Sequence, residues 1–394
     1  MRKLLFIIVL IPLLGAAGWW YFREQALPDY GPAYREYAYV SNGKSNTVSV
    51  IDLRTFEIAK TIAVGLSPTG IAANREKNEI YVVNSGSNNV SVIDAEKNAV
   101  VATIGVHGRP YFIDVAQDGR RAYVANSGSA NVSVIDLEKR TVLGNVRVGS
   151  APGLARVSPD GATVVVSNRG DNTVSVIDTK LLRVRSTLPV CQQPEDIAIL
   201  PDSSKAFVAC SGSSQVASIA LAANKNSGPP SDRVLALLDV GRTPVSLALK
   251  PDGGEMTVCD FDSDSISIIE TANDEVGSSV LIGQHPARGL VTLDNSRLYV
   301  SNFGSDSVAV YDIEAGRRIA TMPVGSHPEG LAMSQDQRYL LVLDTQAGDV
   351  TVIQKRTARK LEPTEYSLLT MIPVGLQPNR ITVKAFMVTR QKTK

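Results

Sequence analysis

Residues 81–94 read YVVNSGSNNVSVID, and 42 residues later residues 123–136 read YVANSGSANVSVID. The alternation over Tyr81–Asn84 and again over Val90–Asp94 has period two, with β-branched residues throughout and Gly86 at the tip of the connection, so each copy predicts a β-hairpin. The phrase returns as YVSNGKSNTVSVID from 39, VVSNRGDNTVSVID from 165 and YVSNFGSDSVAVYD from 299. Three eroded copies, FVACSGSSQVASIA from 207, TVCDFDSDSISIIE from 257 and LVLDTQAGDVTVIQ from 341, bring the count to eight.

Working outward from the hairpin adds two more strands. Ahead of it, TGIAANREKNEI (69–80) holds a short apolar strand at Ile71–Ala73 and a polar turn, where other copies put SPDG (158–161) or KPDGG (250–254). Behind it, AEKNAVVATIGV (95–106) gives a turn and a fourth strand. That strand runs into a loop that recurs as VGLSP (64–68), VGSAP (148–152), VGRTP (240–244) and VGSHP (324–328). Units of four antiparallel strands at a period in the low forties predict an all-β propeller with one unit per blade. The first strand should lie innermost, where the sheets crowd the axis, and its small residues fit: Ala72, Ala73, Ala155, Ala198 and Ala332.

The ends of the repeat region complete each other. The chain enters at Tyr37 with strands two to four of a blade, and VGLQPNRITVKAF (374–386) supplies a first strand with nothing after it. The loop prolines fall at 68, 110, 152, 194, 244, 286, 328 and 378. Seven whole blades and one shared blade therefore predict an eight-bladed ring closed by pairing of the two ends. Two steps are 50 residues instead of 42, and the extra pieces sit between strands three and four, in AANKNSGPPSDR (222–233) and KRTARKLEPTEY (355–366). They should decorate the lower face.

Forty basic residues against 39 acidic ones leave no strong field to attract nucleic acid, and 44% hydrophobic residues supply a core. The amino terminus is a separate object. Arg2 and Lys3 precede an apolar run from Leu4 to Phe22 that ends in Trp19, Trp20, Tyr21 and Phe22. A run of about 20 apolar residues is long enough to span a bilayer, and its flanking charges put the amino end in the cytoplasm. Gly15 and Ala17 also offer a cleavage pattern before Gly18, so a retained anchor and a cleaved signal are both open. Either way the repeats are expected outside the cytoplasm, in the periplasm or at the cell surface. The expected boundaries are an anchor or signal at 1–22, a linker at 23–36, the propeller at 37–388 and a basic tail at 389–394.

The recurrent YVSN or YVAN strand, the NxxSVID strand and the VGxxP loop resemble the YVTN-repeat, or YncE-like, β-propellers of bacterial envelopes and archaeal surface layers. The resemblance covers residues 37–386. It implies a propeller in the cell envelope and no particular reaction, since one fold hosts many functions. The eight-bladed form also resembles the d1-haem propellers of nitrite reductases and their assembly factors, which implies haem as an alternative cofactor, with His107, His285 or His327 as the candidate axial ligand.

Function on such a ring is expected at the top-face funnel, where the VGxxP loops meet the NSGSNN-type loops. His285 and His327 precede the proline in consecutive blades, and His107 lies in GVHGRP. Residues that break the repeat concentrate just after the prolines: Tyr111, Phe112, Glu195, Asp196, Arg288, Glu329, Asn379 and Arg380. Arg109, Arg242, Arg288 and Arg380 are candidates to hold carboxylate or phosphate by forked hydrogen bonds, or to pair with Glu195, Asp196 and Glu329. The candidate funnel set is thus Arg109, Tyr111, Glu195, Arg242, His285, Arg288, His327, Glu329 and Arg380.

Catalytic signatures are sparse. There is no GxSxG elbow, no HExxH helix and no CxxCH, and both tryptophans fall in the apolar run. Asp260, Asp262 and Asp264 in CDFDSDS lack the glycine and distant glutamate of a calcium loop and predict a polar turn. No metal site is expected. Cys191 replaces the glycine of VGxxP and Cys210 the asparagine of YVxN in one blade, so a disulfide and two buried thiols are both open, with Cys259 left over. The reading favours a non-catalytic extracytoplasmic binding or scaffolding propeller that presents its funnel to a protein, glycan or small anionic ligand. The alternative is a cofactor-handling protein or oxidoreductase.

Overall fold

The computed structural model describes residues 30–222, 231–356 and 365–388. The expected anchor or signal at 1–22, the first half of the linker, the basic tail and the inserted residues 223–230 and 357–364 lie outside the described residues. Glu36–Ala385 form one compact unit. The other, Met1–Arg35 with Phe386–Lys394, is described only at 30–35 and 386–388, where the Tyr30 and Tyr34 rings stack at 4.3 Å and Val388 N donates to Ala33 O at 2.9 Å.

The large unit consists of eight four-stranded antiparallel sheets. Seven use four consecutive strands; blade 1, for example, is Pro68–Ala73, Glu79–Asn84, Asn89–Asp94 and Ala99–Gly105. The first strands of blades 2 to 7 are Pro110–Val115, Pro152–Val157, Pro194–Ile199, Pro244–Leu249, Pro286–Val291 and Pro328–Met333. Blade 8 joins the ends of the repeat region: Pro378–Met387 is the neighbour of Tyr34–Asn42, followed by Thr47–Asp52 and Glu57–Ala63. Strand pairing thus closes the ring, and the edges that remain are the short inner and outer strands of each blade.

The period of two decides where the core sits. In the blade 1 hairpin, Tyr81 pairs with Val92 and Val83 with Val90. These four side chains pack with Ile113, Ala122 and Val124 of blade 2 in one cluster. Alternate residues point the other way, so in blade 2 Tyr123 and Ala125 pack against Val164 and Val166 of blade 3. The apolar cores therefore lie between neighbouring blades, and both faces of the inner strands read as hydrophobic.

Between blades 8 and 1, Tyr39 Oη donates to Asn98 Oδ1 at 2.7 Å, Asn379 Nδ2 to Pro68 O at 2.7 Å and Lys384 Nζ to Asn74 O at 2.7 Å.

The loops are tied by one repeated device. The residue before each first-strand proline, from Ser67 to Gln377, is left-handed, with φ between 47° and 55°. In five blades its N–H donates to an Asn or Asp in the hairpin tip of the preceding blade. The acceptors are Asn46 for Ser67 (2.8 Å), Asn88 for Arg109 (2.8 Å) and Asn172 for Gln193 (2.9 Å), and Asp264 for His285 and Asp306 for His327 (both 2.9 Å). Those acceptors are left-handed too, which Asn and Asp tolerate better than other side chains. The device brings the VGxxP loops and the hairpin tips to one face of the ring.

Candidate functional site

Every first strand starts on its loop proline, so position along the strand fixes depth in the axial channel. The third residue around the ring is Gly70, Phe112, Leu154, Asp196, Ser246, Arg288, Gly330 and Arg380. The fifth, about 7 Å further along at the strand rise, includes Asp114 and Arg156. Four blades apart means opposite sides. Arg380 therefore faces Asp196 across the axis, and Arg288 faces Phe112.

A cavity of about 440 Å³ lies on this axis, lined by Arg75, Arg156, Arg288 and Arg380, by Asp114, and by apolar residues including Phe112, Leu154, Leu331 and Ile381. Asp196 is buried behind the arginines. It accepts from Ile197 N (3.0 Å) and Leu247 N (3.1 Å), pairs with Arg288 Nη1 at 3.2 Å and stands 3.9 Å from Arg156 Nη2. The Arg156 guanidinium lies 4.6 Å over the Phe112 ring. Asp114 accepts from Val157 N at 3.0 Å, and burial raises its carboxyl above the usual range against the pull of Arg156.

Arg380 differs from its neighbours. Its guanidinium has no hydrogen bond or ion pair among the described residues. It keeps some exposed surface because it faces the cavity, yet protein encloses it on almost every side. Desolvation, with Arg288 adding like-charge repulsion, pushes it down to about 10. Four arginines against two aspartates leave this part of the channel positive by two. Such an arrangement is suited to holding an anion.

Of the residues singled out in the sequence, Arg288 and Arg380 come together at the axis with Asp196 and Phe112. Arg109 and Arg242 do not: both are exposed on the loop rim, and Arg242 donates to Asp262 O at 2.6 Å. Glu195 pairs with Arg169, whose guanidinium lies 4.9 Å over the Tyr111 ring, and burial raises the Glu195 carboxyl despite that partner. Glu329 makes no ion pair among the described residues; only its backbone oxygen accepts, from Ser301 Oγ at 3.4 Å.

The histidines stand on the rim and none lines the axial cavity. His107 Nδ1 meets Asn131 Nδ2 at 2.7 Å, His285 stacks on Phe261 at 4.6 Å and His327 on Phe303 at 4.2 Å. Arg156 and Asp114 were missed in the sequence; Asp114 lies two residues on from the repeat-breaking Phe112 and so on the same strand face, whereas Arg156 follows Leu154, which gave no such signal.

Cys191 and Cys210 form a disulfide, and Cys259 is free and buried, its thiol raised by burial. The bridge occupies the place where other blades seat a glycine on an asparagine. A Cβ on Gly65 would come within 2.7 Å of Asn84, and one on Gly149 within 2.6 Å of Asn168. The three aspartates of CDFDSDS serve separate local partners: Asp260 accepts from Ser267 Oγ, Asp262 from Thr243 Oγ1 and Asp264 from His285 N.

A family model described as YNCE-like beta-propeller matches residues 19–157 and 155–366. No curated protein matches. Among solved structures, hydrazine synthase of Kuenenia stuttgartiensis is similar at 22% identity and TM-score 0.55, covering 70% of this chain and 91% of that one. A functionally unknown protein from Desulfotomaculum acetoxidans is similar at 15% identity and TM-score 0.60, covering 78% and 99%. Dihydro-heme d1 dehydrogenase NirN in complex with DHE is similar at 15% identity and TM-score 0.70, covering 88% of this chain and 74% of that one. At these identities the likeness is one of fold.

Proposed function

The chain belongs to the YNCE-like β-propeller family, and on that premise we propose that it is a non-catalytic binding protein, exposed outside the cytoplasm, whose propeller takes a small anionic ligand on its axis. The observation that carries this reading is Arg380: a desolvated guanidinium without a partner among the described residues, beside a second arginine, facing a cavity of about 440 Å³. An unpaired buried charge is a standing cost to the fold, and an anion that accepts its hydrogen bonds relieves it. Export is supported by the apolar run at Leu4–Phe22 and by the disulfide, since such bonds persist in oxidising compartments.

A cofactor-handling role with His107, His285 or His327 as axial ligand is the weaker reading. All three rings sit on the rim, two of them stacked on phenylalanines. Isothermal titration of the purified protein with inorganic phosphate and with butyrate, in Tris buffer at low ionic strength, tests the proposal. The wild type should bind at least one of the two, and the Arg288→Ala/Arg380→Ala variant neither. Equal binding by wild type and variant refutes the axial site. Export is tested by a reporter fused after Arg23, where activity confined to the cytoplasm would overturn it.

A further inference from the structure

We infer that the axial cavity recognises an organic carboxylate with an apolar body, in preference to an inorganic anion. The inference rests on the anion-site reading above and deepens it. Among the third residues, Arg288 and Arg380 occupy one arc with only Gly330 between them, and the facing arc holds Phe112 and Leu154 with Asp196, whose carboxylate is engaged by Arg288. Leu331 and Ile381 add apolar surface beside the arginines.

Size points the same way. Ligand pockets typically span about 300–1,000 Å³, and this cavity of about 440 Å³ falls in that range. A phosphate, with the bulk of a few waters of about 30 Å³ each, would leave most of it to solvent and leave the apolar wall unused. Charge also favours a single carboxylate. Asp196 engages one arm of Arg288 and stands 3.9 Å from Arg156, and Arg75 is exposed to solvent, so Arg380 is the enclosed fork with no partner among the described residues, and a carboxylate matches that fork with two parallel N–H···O bonds. The body of the ligand would then extend over Phe112 and Leu154.

The test is a titration series on the full chain with acetate, butyrate, 4-phenylbutyrate, 4-phenylbutanol and inorganic phosphate, repeated on Arg380→Met and Arg380→Lys. Burying each added methylene should tighten binding by about two- to fourfold. Phenylbutyrate should therefore bind best and phenylbutanol not measurably. Arg380→Met should lose at least tenfold for every carboxylate, and Arg380→Lys, which keeps the charge but not the fork, an intermediate amount. Far-ultraviolet circular dichroism reports folding of each variant, and the chain-length series on the wild type stands without any variant.

Phosphate binding more tightly than phenylbutyrate, or affinity flat along the series, would overturn the inference while leaving an anion site in place. Phenylbutanol binding as well as phenylbutyrate would also overturn it. If no anion binds in a manner sensitive to Arg380, the underlying anion-site reading fails with it.

Discussion

Replacing Asp260 by asparagine should stabilise the protein, and the gain should depend on pH in a defined direction. Asparagine closes the second strand in five blades, as Asn42, Asn84, Asn126, Asn168 and Asn302, whereas blade 5 has Asp260. In four of these blades the Asn Nδ2 donates to a serine on the next strand, at 2.8–2.9 Å. Asp260 reverses that bond by accepting from Ser267 Oγ at 2.6 Å, and its other oxygen is buried without a partner. Burial is the largest influence on its carboxyl, and it lifts the group from 3.8 to about 6.

The folded state therefore holds this proton more tightly than the unfolded chain does, so the contribution of Asp260 to stability falls as pH rises from about 4 through about 6 and stays low above that. Two pH units at about 1.4 kcal/mol each make the penalty at neutral pH up to about 3 kcal/mol. Asp260→Asn restores the donor that Ser267 can accept and removes the ionisation. Equilibrium urea denaturation of both proteins at pH 4.5 and pH 7.5 measures the difference. The variant should gain about 1–3 kcal/mol at pH 7.5 and much less at pH 4.5. A gain independent of pH, or a loss at pH 7.5, would refute the reasoning.

Two further outcomes use the same repeat logic. Asp344 stands at the equivalent position in blade 7, where burial first and neighbouring Asp349 second push it up to about 8. Asp344→Asn should therefore stabilise progressively as pH rises from about 4 to 8, and denaturation midpoints across that range would show it; a flat difference would contradict it. The Cys191–Cys210 bridge closes a separation of 19 residues, for which loop entropy gives about 3 kcal/mol. Cys191→Ala/Cys210→Ala should lose about that much, and Cys191→Gly/Cys210→Asn, which rebuilds the pair found in other blades, should lose less. Urea midpoints that do not move on reduction of the wild type would refute the contribution of the bridge.

The sequence by itself determined the ring. A hairpin of period two, a loop proline at a fixed step and complementary ends specify strand number, blade number and closure, because each is written in local alternation and turn chemistry that any one blade can satisfy. It also singled out Arg288 and Arg380, because a ligand-facing residue has reason to break a repeat that blade-building residues obey. Only the tertiary structure decided which charged residues share a space. Arg109 and Arg242 lie one residue before the left-handed pre-proline position or on it, and their side chains leave toward the rim. Arg288 and Arg380 lie two residues past the proline and face the axis.

Pairings such as Arg288 with Asp196, 92 residues apart, and the stacking of His285 and His327 on Phe261 and Phe303 follow from the curvature of the ring and from neighbouring blades. No repeat unit encodes these contacts alone. That Arg380 has no partner among the described residues is likewise a property of three-dimensional surroundings, because whether a charge is paired depends on which strands the closed ring places beside it.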